Sequence, residues 1–285
     1  MDVKLRPGTP EDAGACGRIC YDAFAAIAAA HGYPCDFPSP EVATGLVTAL
    51  LGRPGIFSVV AEAGGEVVGS NFLDERAAIA GVGPITVAPG AQNGAIGRQL
   101  MVAVMDRAAE RGAAGVRLVQ TAYHARSLSL YAKLGFVARE PLACLQGPPP
   151  GIIVPGRAVR PAGTADIDAC NALCRAVHGH DRAPQVDDAV AGGTAVVVEH
   201  GGRITGYSTG LSFFAHSLGE TVDDLEALLG AADGFGGPGL LVPIRNGPLF
   251  RWCLESGLRV VQLMTLMTTG LYNEPAGAWL PSVMY

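Results

Sequence analysis

The chain repeats itself in order, and this limits its fold more than any other feature. Arg6-Pro7, Asp12, Cys16 and Cys20 recur as Arg160-Pro161, Asp166, Cys170 and Cys174, each 154 residues further on. A second block follows in both copies. Val59-Val60-Ala61-Glu62-Ala63-Gly64-Gly65-Glu66-Val67-Val68-Gly69 returns as Val196-Val197-Val198-Glu199-His200-Gly201-Gly202-Arg203-Ile204-Thr205-Gly206. Each reads as strand, Gly-Gly turn, strand, a β-hairpin between β-branched runs. Preserved order points to duplication of one unit.

That unit mixes strands with helices. Ile79 to Val87 reads as a strand; then Ile96, Leu100, Val104 and Ala108 recur every four residues, the apolar stripe of a helix that Gly112 ends. Gly115 to Gln120 reads as another strand, and His124 to Leu134 as a short helix closed by Gly135. The predicted class is α/β (α+β): two tandem domains, each a mixed, mostly antiparallel sheet flanked by helices. Gln146-Gly147-Pro148-Pro149-Pro150-Gly151 continues neither a helix nor a central strand, because proline fixes φ and lacks an N–H. The expected domains are therefore 1–147 and 157–285.

Composition excludes several classes of function. With 49% apolar and 16% charged residues, disorder is excluded. A net charge of −6 without a Lys/Arg cluster argues against nucleic acid or an anionic membrane as partner. The longest apolar run, Ala23 to Ala30, is far below the roughly 18 residues a spanning helix needs. The first residues lack the apolar core of a secretory leader, which predicts a cytoplasmic protein. The seven cysteines form no CxxC pair, so reduced thiols and no metal site are expected. Cys16 and Cys20, like Cys170 and Cys174, would share one helix face as small buried side chains.

Between the strand ending at Val87 and the long helix lies Gln92-Asn93-Gly94-Ala95-Ile96-Gly97-Arg98. Small residues let a ligand approach the main chain, and the first helical N–H groups have no intrahelical partner. A phosphate there would receive those donors and the favourable end of the helix dipole. The segment reads either as a pyrophosphate cradle or as an ordinary glycine-rich turn. No Gly-Lys-Ser/Thr follows, so it is not a Walker loop, and nucleotide hydrolysis is disfavoured.

Val87-x-Pro89, the Gln92-x-x-Ala95-x-Gly97 loop and Leu130-Tyr131-x-Lys133-Leu134-Gly135-Phe136, in this order and spacing, resemble the motifs of GNAT acetyltransferases. The resemblance covers the first half, and the repeat extends the fold to the remainder. It implies an acetyl-CoA-dependent N-acetyltransferase without a metal, in which an amine of a small molecule or peptide attacks the thioester directly. By resemblance, Ile85, Thr86 and Val87 offer backbone groups to the pantetheine and thioester carbonyl. Gln92, Asn93, Gly94, Ala95, Ile96, Gly97 and Arg98 hold the pyrophosphate, with His124 and Ser127 completing the cofactor set. Tyr131 lies near the sulfur and protonates the departing thiolate, or else packs between helix and sheet. Glu75 is the candidate base, although Asp74-Glu75 reads equally as a solvated turn. His31-Gly32-Tyr33-Pro34-Cys35-Asp36-Phe37-Pro38 is assigned to the acceptor pocket, and Cys35 has no base paired with it in the sequence.

Two positions depart from the family pattern. Ala95 stands where glycine is usual, which a methyl group tolerates if the local φ is negative. His124 stands where asparagine is frequent, which makes its charge pH-dependent. In the second copy Gly206 to Gly257 spans 51 positions where Gly69 to Gly135 spans 66. The cofactor loop is what is missing, and Glu220, Asp223, Asp224 and Glu226 stand in its place, with Cys253 at the tyrosine position. Carboxylates there would repel a phosphate, so the second copy is expected to be degenerate: it shapes the acceptor cleft or pairs subunits in a homodimer. The tail from Leu271 to Tyr285 is expected to cap a sheet. A catalytically weak acyl-CoA-binding or sensor protein is the alternative function.

Overall fold

A computed structural model describes residues 3–92 and 94–285. In the first half, β1 (Val3–Pro7) leads to α1 (Ala13–His31) and α2 (Pro40–Leu51), followed by the hairpin of β2 (Ile56–Ala63) and β3 (Glu66–Asp74). The predicted strand from Ile79 to Val87 is two pieces, β4 (Ile79–Val82) and β5 (Thr86–Val87), split at Gly83-Pro84. Proline cannot donate to a ladder and Gly83 sits at φ 135, a value open to glycine. Next come α3 (Ile96–Glu110), β6 (Gly115–Thr121), α4 (Ala125–Lys133) and β7 (Val137–Gln146).

The second half runs through β8 (Ala158–Pro161), α5 (Ile167–His178), α6 (Ala183–Ala191), β9 (Val196–His200), β10 (Arg203–Ser208) and β11 (Ser217–Gly219). It continues with α7 (Val222–Gly230), β12 (Leu240–Pro243), α8 (Gly247–Glu255), β13 (Arg259–Gly270) and β14 (Ala278–Leu280).

The duplication extends to hydrogen-bond detail. In both hairpins the register slips at the same place: Ala61 faces Gly69 and Glu62 faces Val67, while Val198 faces Gly206 and Glu199 faces Ile204. The paired glycines at each turn, Gly64-Gly65 and Gly201-Gly202, all have positive φ, which the tight turn requires. The predicted arginine and aspartate repeat also acquires a structural meaning. Arg6 donates to both oxygens of Asp12 at 2.7 Å and to Glu62. Arg160 does the same to Asp166 and Glu199. The four helix cysteines are buried free thiols in the cores beneath α1 and α5.

The sheets do not divide where the chain does. The larger runs in the order β1-β2-β3-β4-β6-β13-β7-β12, with β5 paired to β3, and the smaller in the order β14-β11-β10-β9-β8. Thus β13 of the second half lies between β6 and β7 of the first, and β7 lies between β13 and β12. Each half supplies the strand the other lacks. The proline run lies between β7 and β8, but the hydrogen bonding crosses the expected division into 1–147 and 157–285. The two faces of β7 meet different cores, Leu142 and Cys144 in one and Ala143 and Leu145 in the other, and all four are fully buried.

The tail is a strand as well as a cap. β14 pairs with β11, with Leu218 facing Trp279, and Ala278 and Leu280 pack into the core beside β12. β11 is the counterpart of β5, since Gly219 pairs with Gly206 as Val87 pairs with Gly69. In the second half, therefore, the edge of the β5-like strand is already taken.

Candidate active site

In the first half that edge is open. β4 and β6 pair in parallel from Ile79 to Gly81 and then diverge, and β5 has β3 as its sheet partner. A cavity of about 520 Å³ fills the wedge, lined by Val82 to Val87 on one side and Leu118 to Thr121 on the other. The N-terminus of α3 forms one wall, because Gln92, Ala95, Ile96, Gly97 and Arg98 all line it. From α4 and its entry come His124, Arg126, Ser127, Leu130 and Tyr131. The first turn of α3 has no side-chain cap, so its N–H donors are left to whatever enters. Gly97 has ordinary clearance, its nearest neighbours from an added Cβ being Leu130 at 3.7 Å and Val87 at 3.9 Å. Gln92 bridges, donating to the Val87 carbonyl at 3.2 Å and accepting from Arg126 at 2.5 Å.

Ala95 has φ 60, in the left-handed region, so the negative φ that would have suited its methyl group is not what the fold adopts. The chain must turn sharply from the loop into α3, and a non-glycine residue bears that strain at about 1 kcal/mol. Gly94 is not among the lining residues, and the expectation placed on Asn93 lies outside the described residues.

His124 begins α4 with φ −84, as Asn246 begins α8 with φ −79. One ring nitrogen of His124 is 2.5 Å from Ser127 Oγ, while Nε2 is buried without a partner. Burial holds the imidazole below its usual pKa, so it is neutral near pH 7. Gln120 is also buried in the cavity wall, with neither amide atom paired. Buried polar atoms without partners are uncommon, and here they cluster at one opening. Tyr131 is 6% exposed, and burial pushes its hydroxyl up to about 12, so it stays protonated across the physiological range.

The candidate base is not in the cavity. Glu75 accepts from Arg107 Nε at 2.7 Å and from its second guanidinium nitrogen at 2.8 Å, with Arg111 at 3.7 Å. Asp74 is likewise held by Arg76. The turn after β3 faces α3 and its cations, which the sequence pattern could not reveal. Of the segment assigned to the acceptor pocket, Asp36 and Phe37 line the cavity, whereas Cys35 does not and its thiol is pushed up by burial. Asp36 is 8% exposed, and desolvation pushes its carboxyl up to about 6.

The second half contributes to the walls through residues that the sequence did not single out. Phe213, Phe214, Met264, Val283 and Met284 all line the cavity. No local signal marks them, since they arrive through the loop between β10 and β11, the exchanged β13 and the tail. The carboxylates of α7 also differ from expectation. Asp224 is 1% exposed, caps its helix through Thr221, and accepts from Thr205 and Arg157. Glu220 pairs with Arg203, and Arg157 also meets Asp223. Paired in this way, Glu220, Asp223 and Asp224 repel a phosphate less than the bare sequence suggests, and β14 occupies the edge of β11 beside them.

Comparison with known proteins agrees with this geometry. Residues 26–136 match the model of the acetyltransferase (GNAT) family. An IAA acetyltransferase of Azospirillum brasilense is 34% identical over 93 residues, 32% of this chain and 61% of that protein. The chain therefore spans about three fifths of the length of the curated relative it matches. A Pyrococcus horikoshii protein superposes at TM-score 0.75 and 17% identity, covering 97% of this chain and 94% of that one. A tandem GNAT protein from the clavulanic acid biosynthesis pathway superposes at 0.55 and 16% identity, covering 99% and 100%. Among the described residues no helix is long and apolar enough to cross a membrane. The match to the acetyltransferase (GNAT) family thus lies in residues 26–136, and the chain as a whole shares the fold of solved proteins that include a tandem GNAT protein.

Proposed function

We propose that the first half transfers an acetyl group from acetyl-CoA to an amine of a small molecule or peptide. One observation carries this reading. A single cavity joins the open edge of β5, the uncapped start of α3 and the Tyr131 hydroxyl. Acetyl-CoA, when bound, supplies an activated acyl group on sulfur. The α3 N-terminus, with Arg98 and Arg126 beside it, suits the pyrophosphate: N–H donors, dipole and cations have the same sign there. Ile85, Thr86 and Val87 offer main-chain groups to the pantetheine and the carbonyl, where fixed donors favour developing negative charge. The neutral His124, paired with Ser127, presents Nε2 to the same arm. Tyr131, protonated at working pH, holds the proton that a leaving thiolate requires.

We assign the second half to shaping the acceptor wall. We also infer a cytoplasmic enzyme, in keeping with seven unpaired thiols. The test is free-thiol release from acetyl-CoA with a panel of amines. Amine-dependent thiol release at a rate well above hydrolysis is the expected result. Acetyl-CoA binding with no turnover for any amine would establish the second reading, an acyl-CoA-binding or sensor protein. The strained Ala95 is the observation that favours it.

A further inference from the structure

Among the described residues, Asp36 supplies the one carboxyl that lines the cavity, whose walls are largely apolar. Asp36 lies between α1 and α2, lines the cavity and is 8% exposed. Its Oδ1 accepts from Gln262 Nε2 at 2.7 Å, and among the described residues no Lys, Arg or His pairs with it. Gln262, on β13, is itself buried and comes from the other half of the chain. Around the carboxyl the chamber is aromatic and aliphatic. Phe24 meets Phe37 edge-on at 5.3 Å, and Ile27, Phe213 and Met284 line the same cavity.

A buried carboxylate without a cation is costly, and such groups are normally paired or serve a ligand. The complement of this chamber is one positive charge on an otherwise apolar body. A carboxylate on the ligand would be repelled by Asp36. A second ammonium, as in a polyamine, would be buried without a partner. An extended peptide would leave amide groups unpaired against Phe24, Ile27 and Met284.

We propose that Asp36 receives the ammonium of the acceptor, and that the acceptor is a primary amine on an apolar, ring-sized body. The proposal rests on reading this cavity as a transferase site and names the substrate class of that site. Asp36 binds the R–NH3+ form by a charge-assisted hydrogen bond and takes one proton from it, leaving R–NH2 with its lone pair free. Gln262 fixes the carboxyl from behind, so the second half positions the group that chooses the substrate.

The experiment is titration calorimetry on the full chain without acetyl-CoA, at pH 8, comparing 2-phenylethylamine with the uncharged 2-phenylethanol. We expect the amine to bind at least about tenfold more tightly. Asp36→Asn keeps the hydrogen bond to Gln262 and should bring the ratio near one without changing the melting-temperature shift given by acetyl-CoA. Equal binding of the two compounds by the wild type overturns the proposal, whether or not the variant folds. So does no binding of the amine, a ratio unchanged in Asp36→Asn, or spermidine bound more tightly than 2-phenylethylamine. Amine binding without any acetyl-CoA shift sinks the transferase reading alone; amine-dependent turnover with an amine-to-alcohol ratio of one sinks this inference alone.

Discussion

Gln262 of β13 donates to Asp36 at 2.7 Å, so a residue of the second half acts on the charge state of a carboxyl in the first. Desolvation raises that carboxyl to about 6 and the Gln262 hydrogen bond lowers it. The anion is the form that receives an ammonium. KM for the amine should therefore rise as pH falls through about 6. Tyr123, Cys20 and Cys144, which sense the same charge, sit near 12 and stay neutral over this range. Gln262→Leu should move the acid limb of kcat/KM to higher pH, and Asp36→Asn should remove it. A limb unmoved in Gln262→Leu would assign the titration to another group, His124 being the next to examine.

Tyr131→Phe should lower kcat by about ten- to a thousandfold with acetyl-CoA affinity unchanged, because the proton is needed only as the thiolate leaves. Its hydroxyl, raised to about 12, should give no alkaline limb below pH 10. A loss confined to KM would make Tyr131 a binding residue.

At the α3 N-terminus, Gly97→Glu should abolish the melting-temperature rise that acetyl-CoA gives by mass action, while apo stability changes little. Ala95→Gly relieves a left-handed alanine and should raise apo stability by up to about 1 kcal/mol, roughly 2 °C. A fall in stability would show that the loop holds its turn without strain.

Because β14 occupies the edge of β11, calorimetry should find one CoA site per chain. That site should survive Cys253→Ala and vanish with Gly97→Glu. Two sites, or one indifferent to Gly97→Glu, would place cofactor binding in the wrong half.

The twin Arg–Asp pairs predict a matched response to acid. Asp12 and Asp166 are each held down to about 2, chiefly by Arg6 and Arg160. A carboxyl lowered in the folded state stabilises above its unfolded pKa, and that contribution is lost as pH falls from about 4 towards 2. After allowance for solvent screening, each pair contributes about 1 kcal/mol. Asp12→Asn and Asp166→Asn should thus cost similar amounts in urea melts at pH 7 and converge on the wild type near pH 2. A large inequality between them would mean the repeated geometry hides different surroundings.

The sequence by itself determined the duplicated unit, its hairpins, the stripe of α3 and the cradle-like loop, since each is a local pattern. Glycine pairs demand turns, four-residue spacing makes a helix face, and small residues before a helix open its N–H groups. Tertiary structure alone decided the rest. Backbone pairing carries no address, so nothing within β7 or β13 announced that each would complete the other half's sheet. The charge state of a side chain depends on groups distant in sequence. Glu75 was legible as a free acid until Arg107 met it from α3, and Asp36 was one residue in a loop until burial and Gln262, 226 positions away, gave it a distinct chemistry. Left-handed Ala95 was hidden for the same reason: the path between β5 and α3, not the residue, sets its φ.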